Sequence, residues 1–166
     1  MRSSYQEIIE DLDAFGSASI FLLVVVFSFV LGEFNLFAQT LLGGIIAFVV
    51  IVPLRLCFFR VRPLERKFTN LLTKVDAGSF PSLHAMRAGV LATLLAVFAG
   101  NVFFTVFLLA LVAAVCVSRV LQKRHFVSDV IVGVICGIII AFFAIWLVGQ
   151  VSNLWFLCID NCQGIM

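Results

Sequence analysis

Charge is the scarcest feature of this chain. Of its 166 residues, only 12% are charged, whereas 63% are hydrophobic. A soluble domain carries about 25% charged residues, so there are too few polar side chains here to cover a globular surface in water. The composition therefore excludes an ordinary soluble domain and predicts one integral membrane domain.

Three further patterns are missing from the sequence. The apolar runs do not alternate with polar residues, which argues against a membrane β-barrel. The five cysteines and two histidines nowhere have the spacing of zinc ligands, and we expect no metal. Four acidic residues precede the first apolar run, so the N-terminus does not have the pattern of a signal peptide. Cys158 and Cys162 form a C-x3-C pair whose spacing leaves open whether they are bridged.

Long apolar runs dominate the rest of the chain. A membrane span needs roughly 20 mostly apolar residues. The sequence predicts an all-α helical bundle of about five transmembrane helices, over residues 14–31, 36–59, 83–99, 102–117 and 128–149. Pro53 and Arg55 predict that the last turn of the second span is broken or lies at the interface.

We expect one domain over residues 1–166. It consists of an interfacial N-terminal segment (1–15), a catalytic helical bundle (16–149) and a C-terminal tail (150–166). Within the first segment, residues 4–13 have an amphipathic pattern that suits a short helix on the membrane surface. A frayed polar tail is an equal alternative.

Five spans place three polar clusters on the same membrane face. The first contains Arg55 and Arg62. Arginine makes forked contacts with phosphate oxygens, so this cluster is a candidate phosphate site. The second contains Ser82 and His84 at the start of an apolar run, where helix N–H groups can bind an anion and His84 can act as a general acid. A membrane anchor and an ordinary capped helix are the respective alternatives.

The third cluster is the segment SRVLQKRHFVSD, residues 118–129. His125 and Asp129 are four residues apart, so on a helix start the carboxylate would orient the imidazole and leave its other nitrogen as a nucleophile. Ser118 and Arg119 end the preceding span. Taken alone, the segment also reads as a charged loop, with Lys123 and Arg124 as membrane anchors.

Together the three clusters resemble the signature of the type 2 phosphatidic acid phosphatase superfamily of membrane lipid phosphatases. That signature is K-x6-R-P, P-S-G-H and S-R-x5-H-x3-D, and its third part is complete here. The resemblance implies that His125 is the nucleophile forming a phosphohistidine, that Asp129 orients it and that His84 is the general acid. The phosphate would be held by Arg55, Arg62, Ser82, Leu83 and Arg119.

Two residues depart from the signature. Arg55 replaces lysine and Leu83 replaces glycine, which puts substrate preference in doubt more than activity. Arg87, one turn after His84, is a candidate headgroup contact, with snorkelling to the interface as its alternative. The substrate would be phosphatidic acid, phosphatidylglycerol phosphate or an isoprenoid diphosphate.

The expected partners are a lipid phosphate and the bilayer, with no cofactor and no nucleic acid; the oligomeric state is open. Two other functions fit the same residues: a non-catalytic protein that binds lipid phosphate, and a lipid phosphotransferase. All eleven Lys and Arg fall on the catalytic side or in the span ends that touch it, so the positive-inside rule predicts a cytoplasmic active site. Many members of the resembled family instead face outward.

Overall fold

Apolar α-helices form most of the protein. The computed structural model describes residues 13–64, 69, 70, 73, 75 and 77–163, with only the backbone for 154–163. All but the last residue of the predicted surface helix over residues 4–13, and the side chains of Cys158 and Cys162, lie outside this part. Within it, a 3-10 turn at Ala14–Gly16 precedes five helices, which are α1 (Ala18–Val30), α2 (Phe34–Cys57), α3 (Leu83–Ala99), α4 (Val102–Leu121) and α5 (Val127–Gln163).

The helices have the lengths and surfaces of membrane segments. Helices α2, α4 and α5 are long and apolar enough to cross a bilayer, while α1 and α3 are shorter apolar helices. Large hydrophobic side chains point away from the bundle, and Phe103, for example, is 82% exposed. Such a surface is stable against lipid and not against water. The prediction of an all-α integral membrane bundle is confirmed.

Some helix bounds differ from the predicted spans. Helix α2 continues through Pro53 to Cys57, so the predicted break in its last turn is wrong. Membrane helices tolerate proline where neighbouring groups satisfy the freed carbonyl. Helix α4 continues to Leu121, and α5 passes the expected end at residue 149 and continues to Gln163. The C-terminal tail therefore begins as helix.

Helix α3 is the centre of the bundle and packs against α2, α4 and α5. Met86, Val90 and Leu91 on this helix are completely buried. Gly133 and Gly137 of α5 allow an unusually close approach, because a Cβ atom at Gly133 would lie 2.6 Å from the Ser82 carbonyl oxygen. Small residues at such contacts let two helix backbones touch. This contact places the start of α3 beside the start of α5.

Candidate active site

The three sequence clusters meet in one polar cavity of about 350 Å³ at the end of the bundle where α3 and α5 begin. Its lining consists of arginines, both histidines and one leucine: Arg55, Arg62, Leu83, His84, Arg87, Arg119, Arg124 and His125. None of these lining residues is acidic. The predicted phosphate-binding arginines and the two predicted catalytic histidines are therefore brought together, as the span count required.

His125 lies in the loop between α4 and α5 and is only 4% exposed. Its Nδ1 atom is 2.7 Å from the backbone carbonyl oxygen of Ser79. Because a carbonyl only accepts hydrogen bonds, Nδ1 carries the proton and donates it, which leaves a lone pair on Nε2. Burial and the positive charges of Arg62 and Arg119 lower the pKa of His125 to about 4, so the imidazole is neutral at pH 7.

Asp129 does not orient His125 in the way the spacing suggested. His125 precedes α5 instead of lying on it, and its Nδ1 is 3.9 Å from the nearer carboxylate oxygen, too far for a hydrogen bond. The completely buried carboxylate instead accepts hydrogen bonds from the Ser79 hydroxyl, from the Phe126 N–H at 2.9 Å and from Arg60 Nη1 at 3.0 Å. Asp129 is therefore connected to His125 only indirectly, through Ser79 and the loop at Phe126.

Ser79 is a residue that the sequence reasoning missed. Its carbonyl binds the imidazole and its hydroxyl binds Asp129, so one buried residue connects the two. Its N–H also donates to the carbonyl of Arg60 at 2.8 Å. The only sequence signal was its place two residues before the P-S-L-H motif, and a contact made through a backbone atom has no residue pattern.

Arg55 and Arg62 are buried and held by backbone carbonyls of the segment before α3. Arg55 donates from Nη1 to the Val75 carbonyl at 3.0 Å and from Nη2 to the Pro81 carbonyl at 3.2 Å. Arg62 Nε lies 3.4 Å from the carbonyl oxygen of Gly78. These contacts fix the guanidinium planes at the cavity wall. The two separate bonds of Arg55 use the fork of an arginine, which a lysine does not have.

Arg119, at the end of α4, is positioned by a residue from the N-terminal segment. Its Nη1 atom forms an ion pair with the Asp13 carboxylate at 2.8 Å, and the two side chains are 3% and 14% exposed. Asp13 also accepts hydrogen bonds from the Ser118 hydroxyl and from Gln122 Nε2. In the sequence, Asp13 is only one of four acidic residues before the first apolar run, and no motif marks its contact with Arg119.

The start of α3 contributes Leu83 and His84 to the cavity, whereas Ser82 is used differently. The Ser82 hydroxyl caps the helix by accepting from the Ala85 N–H, and its own N–H donates to the Asp129 carbonyl at 3.0 Å. Ser82 is not among the described residues that line the cavity, and its side chain caps the helix; its contact with phosphate stays a prediction. Leu83 begins a regular helix, so its backbone needs no conformation reserved for glycine.

Two arginines outside the signature also line the cavity. Arg87, the candidate headgroup contact, is one of them, and Arg124 is the other. The interpretation of Arg124 as a membrane anchor therefore needs correction. Arg60 does not line the cavity but supports Asp129 and Phe126. Its guanidinium carbon lies 3.9 Å from the centroid of the Phe126 ring, and its Nη1 donates to the Asp129 carboxylate.

An apolar bundle with a buried cavity of arginines and histidines defines a membrane enzyme that acts on phosphate esters. The profile of the PAP2 superfamily matches residues 57–152, which is more than half of the chain. The chain belongs to this superfamily, as its motifs predicted, and is a membrane lipid phosphatase. The match begins two residues after Arg55, so the altered first position of the signature lies outside it.

Two solved structures have a similar fold. LpxE of Aquifex aeolicus superposes with a TM-score of 0.70 at 21% identity, over 87% of each chain. The PAP2-type phosphatidylglycerolphosphate phosphatase of Bacillus subtilis superposes with a TM-score of 0.61 at 21% identity, over 92% of this chain and 79% of that one. No curated protein matches the sequence. At these identities the structural likeness supports the fold alone.

Proposed function

We propose that this phosphatase removes a phosphate from a lipid phosphomonoester or diphosphate through a phosphohistidine on His125. The observation that carries the proposal is the cavity that holds His125 and His84 together with buried arginines at the end of an apolar bundle. A neutral imidazole whose Nδ1 is occupied by a carbonyl presents Nε2 as a nucleophile. A lipid reaches such a site from the bilayer without leaving the membrane.

In the first step, Nε2 of His125 attacks phosphorus and the bond from phosphorus to the leaving oxygen breaks. Arg55, Arg62 and Arg119 hold the phosphoryl oxygens, and the first N–H groups of α3 add to their positive field. His84 donates a proton to the leaving oxygen. The negative charge of the bound phosphate favours the protonated form of His84 that this step needs.

In the second step, water attacks the phosphohistidine. The bond between phosphorus and Nε2 breaks, His84 takes the proton from the attacking water and inorganic phosphate leaves. His125 and His84 return to their starting states, so the cycle consumes one water for each phosphate released. Asp129 touches neither reactant. It is a positioning residue, acting through Ser79.

Phosphate release by the purified protein in detergent tests this function. The panel contains phosphatidic acid, phosphatidylglycerol phosphate and a polyprenyl diphosphate, and His125→Ala is compared with the parent. We expect His125→Ala to be inactive and the parent to incorporate label from a 32P-labelled lipid in an acid-labile, alkali-stable form. Equal rates in both proteins would overturn the mechanism. Binding without turnover would indicate a binding protein, and label in an added alcohol would indicate a phosphotransferase.

The sidedness proposal is that the active site faces the cytoplasm, in line with the distribution of basic residues. In a cysteine-free background, Leu64→Cys probes the catalytic side and Glu33→Cys probes the turn between α1 and α2, since both positions are exposed. An impermeant thiol reagent added to intact cells should label Glu33→Cys and spare Leu64→Cys. The opposite labelling would place the active site outside.

A further inference from the structure

Two arginines in the cavity have no task in the reaction described above. Arg55, Arg62 and Arg119 belong to the family signature and serve the reacting phosphate. Arg87 and Arg124 line the same cavity but lie outside the signature. A charged residue in or beside a membrane helix is costly, and it is usually kept because it faces a functional site.

Arg87 lies where the polar cavity meets an apolar groove. It is one turn beyond His84 on α3, and besides the cavity it borders a groove of about 330 Å³ between α1 and α2. The rest of that groove is almost wholly apolar, with Phe21, Leu22 and Phe48 among its lining residues. A lipid with its reacting phosphate at His125 and its hydrocarbon chain in this groove must pass Arg87.

The cavity carries more positive charge than the reacting phosphate alone needs. Arg55, Arg62 and Arg119 are already assigned to the phosphoryl oxygens, and Arg87 and Arg124 add two further guanidinium groups to the same lining, where no described residue is acidic. Arg87 follows His84, the proposed acid for the leaving oxygen, by one turn of α3. Cations on that side of the cavity bind well only if the leaving group is itself anionic.

We infer that Arg87 and Arg124 form a second anion subsite, which binds a phosphate placed between the reacting phosphate and the hydrocarbon chain. The preferred substrate then carries two phosphate groups in series, and the leaving group keeps one of them. This inference rests on the proposed function and narrows its substrate class. A lipid diphosphate and a phosphatidylglycerol phosphate both have such an inner phosphate, whereas phosphatidic acid does not.

Matched substrate pairs test the subsite. Farnesyl diphosphate is compared with farnesyl phosphate, and phosphatidylglycerol phosphate with phosphatidic acid of the same acyl chains, by kcat/KM in detergent micelles. We expect the parent to prefer the two-phosphate member by at least about tenfold, the size of one good charge-assisted contact. Arg87→Gln and Arg124→Gln should each remove most of this preference and change the one-phosphate rates by less than about threefold.

Lys123→Gln is the matched control, because it removes a positive charge next to Arg124 from a side chain that does not line the cavity. It should leave the preference unchanged. Preference within only one pair would support the subsite and show which source supplies the inner phosphate. Equal kcat/KM of the parent on both members of both pairs would refute the subsite. An equal loss of kcat/KM on all substrates in Arg124→Gln would also refute it. In either case the phosphatase assignment would stand.

A binding measurement separates failure of the subsite from failure of the proposed reaction. Calorimetry on His125→Ala, which cannot form the intermediate, compares inorganic diphosphate with inorganic phosphate. We expect diphosphate to bind at least about tenfold more tightly, and Arg124→Gln in the same background to remove the difference. Equal binding of the two anions would overturn the subsite whether or not the parent protein turns over any lipid.

Discussion

The contact between Asp13 and Arg119 connects a residue before the first span to the candidate active site. The two residues are separated by 106 positions in sequence, yet the carboxylate binds the guanidinium at 2.8 Å. Asp13 touches no substrate in our mechanism, so it is a positioning residue. We predict that Asp13→Asn lowers kcat/KM because Arg119 loses the charged partner that fixes its orientation toward the phosphate.

The structure gives the size of this effect. The Asp13 carboxylate accepts from the Ser118 hydroxyl, from Arg119 at 2.8 Å and from Gln122 at 2.7 Å. Hydrogen bonds to charged groups contribute about 1.5–3 kcal/mol each, and an amide oxygen recovers roughly half of one. With 1.36 kcal/mol for each tenfold change, the remaining loss of about 0.75–1.5 kcal/mol at Arg119 predicts a fall in kcat/KM of about 3- to 13-fold.

Steady-state kinetics and a double-mutant cycle provide the assay. Asp13→Glu should recover part of the activity, since it restores the charge at a slightly different reach. Adding Asp13→Asn to Arg119→Gln should cause little further loss, because the interaction is already absent. Thermal unfolding in detergent controls for general destabilisation. If Asp13→Asn keeps the parent kcat/KM, or if the two losses multiply fully, Arg119 does not depend on Asp13.

Three other predictions concern the supports of the site. Ser79→Ala should lower the free energy of unfolding by about 1–3 kcal/mol, because the buried Asp129 carboxylate loses a donor; unchanged unfolding in detergent would contradict this. The lowered pKa of His125 predicts a neutral imidazole from pH 8 down to about pH 5, since protonation begins only near the folded value of about 4. NMR of the labelled ring measures this titration once the other histidine is replaced by glutamine. A titration midpoint near 6.5 would refute the prediction. Gly137→Ala should destabilise the bundle by about 1–3 kcal/mol through overpacking, while Gly149→Ala on the same helix meets nothing within 4 Å and should not destabilise it in the same unfolding assay.

The fold could be predicted from composition because membrane helices occur in the sequence as long apolar runs. The gap between the predicted spans 83–99 and 102–117 is also where the structure turns: Gly100 has a φ of +60° and Asn101 caps the next helix. What the runs could not show was how the helices pack. The close contact at Gly133 depends on which face of α5 meets α3, and a continuously apolar helix has no polar stripe to mark that face.

The residues of the candidate site could be predicted only where they follow a fixed spacing in the sequence. His84, His125 and Arg119 belong to motifs, and the structure brings them together. The wrong detail was the direct pairing of His125 with Asp129, because the spacing of four residues assumed a helix that begins two residues later, at Val127. The true partner of the imidazole is a carbonyl 46 positions away, and every residue has a carbonyl, so no residue type marks it.

The placement of the two carboxylates explains how the cavity stays attractive to phosphate. A carboxylate at the wall would repel the substrate, yet buried guanidinium and imidazole groups need partners to hold their orientation. Both needs are met because Asp13 lies behind Arg119 and Asp129 lies behind Ser79, while no acidic residue lines the cavity in the part of the chain that the structure describes. The two carboxylates hold the side chains of the cavity wall in place from behind that wall. The electrostatic field at the wall itself remains positive, as phosphate binding requires.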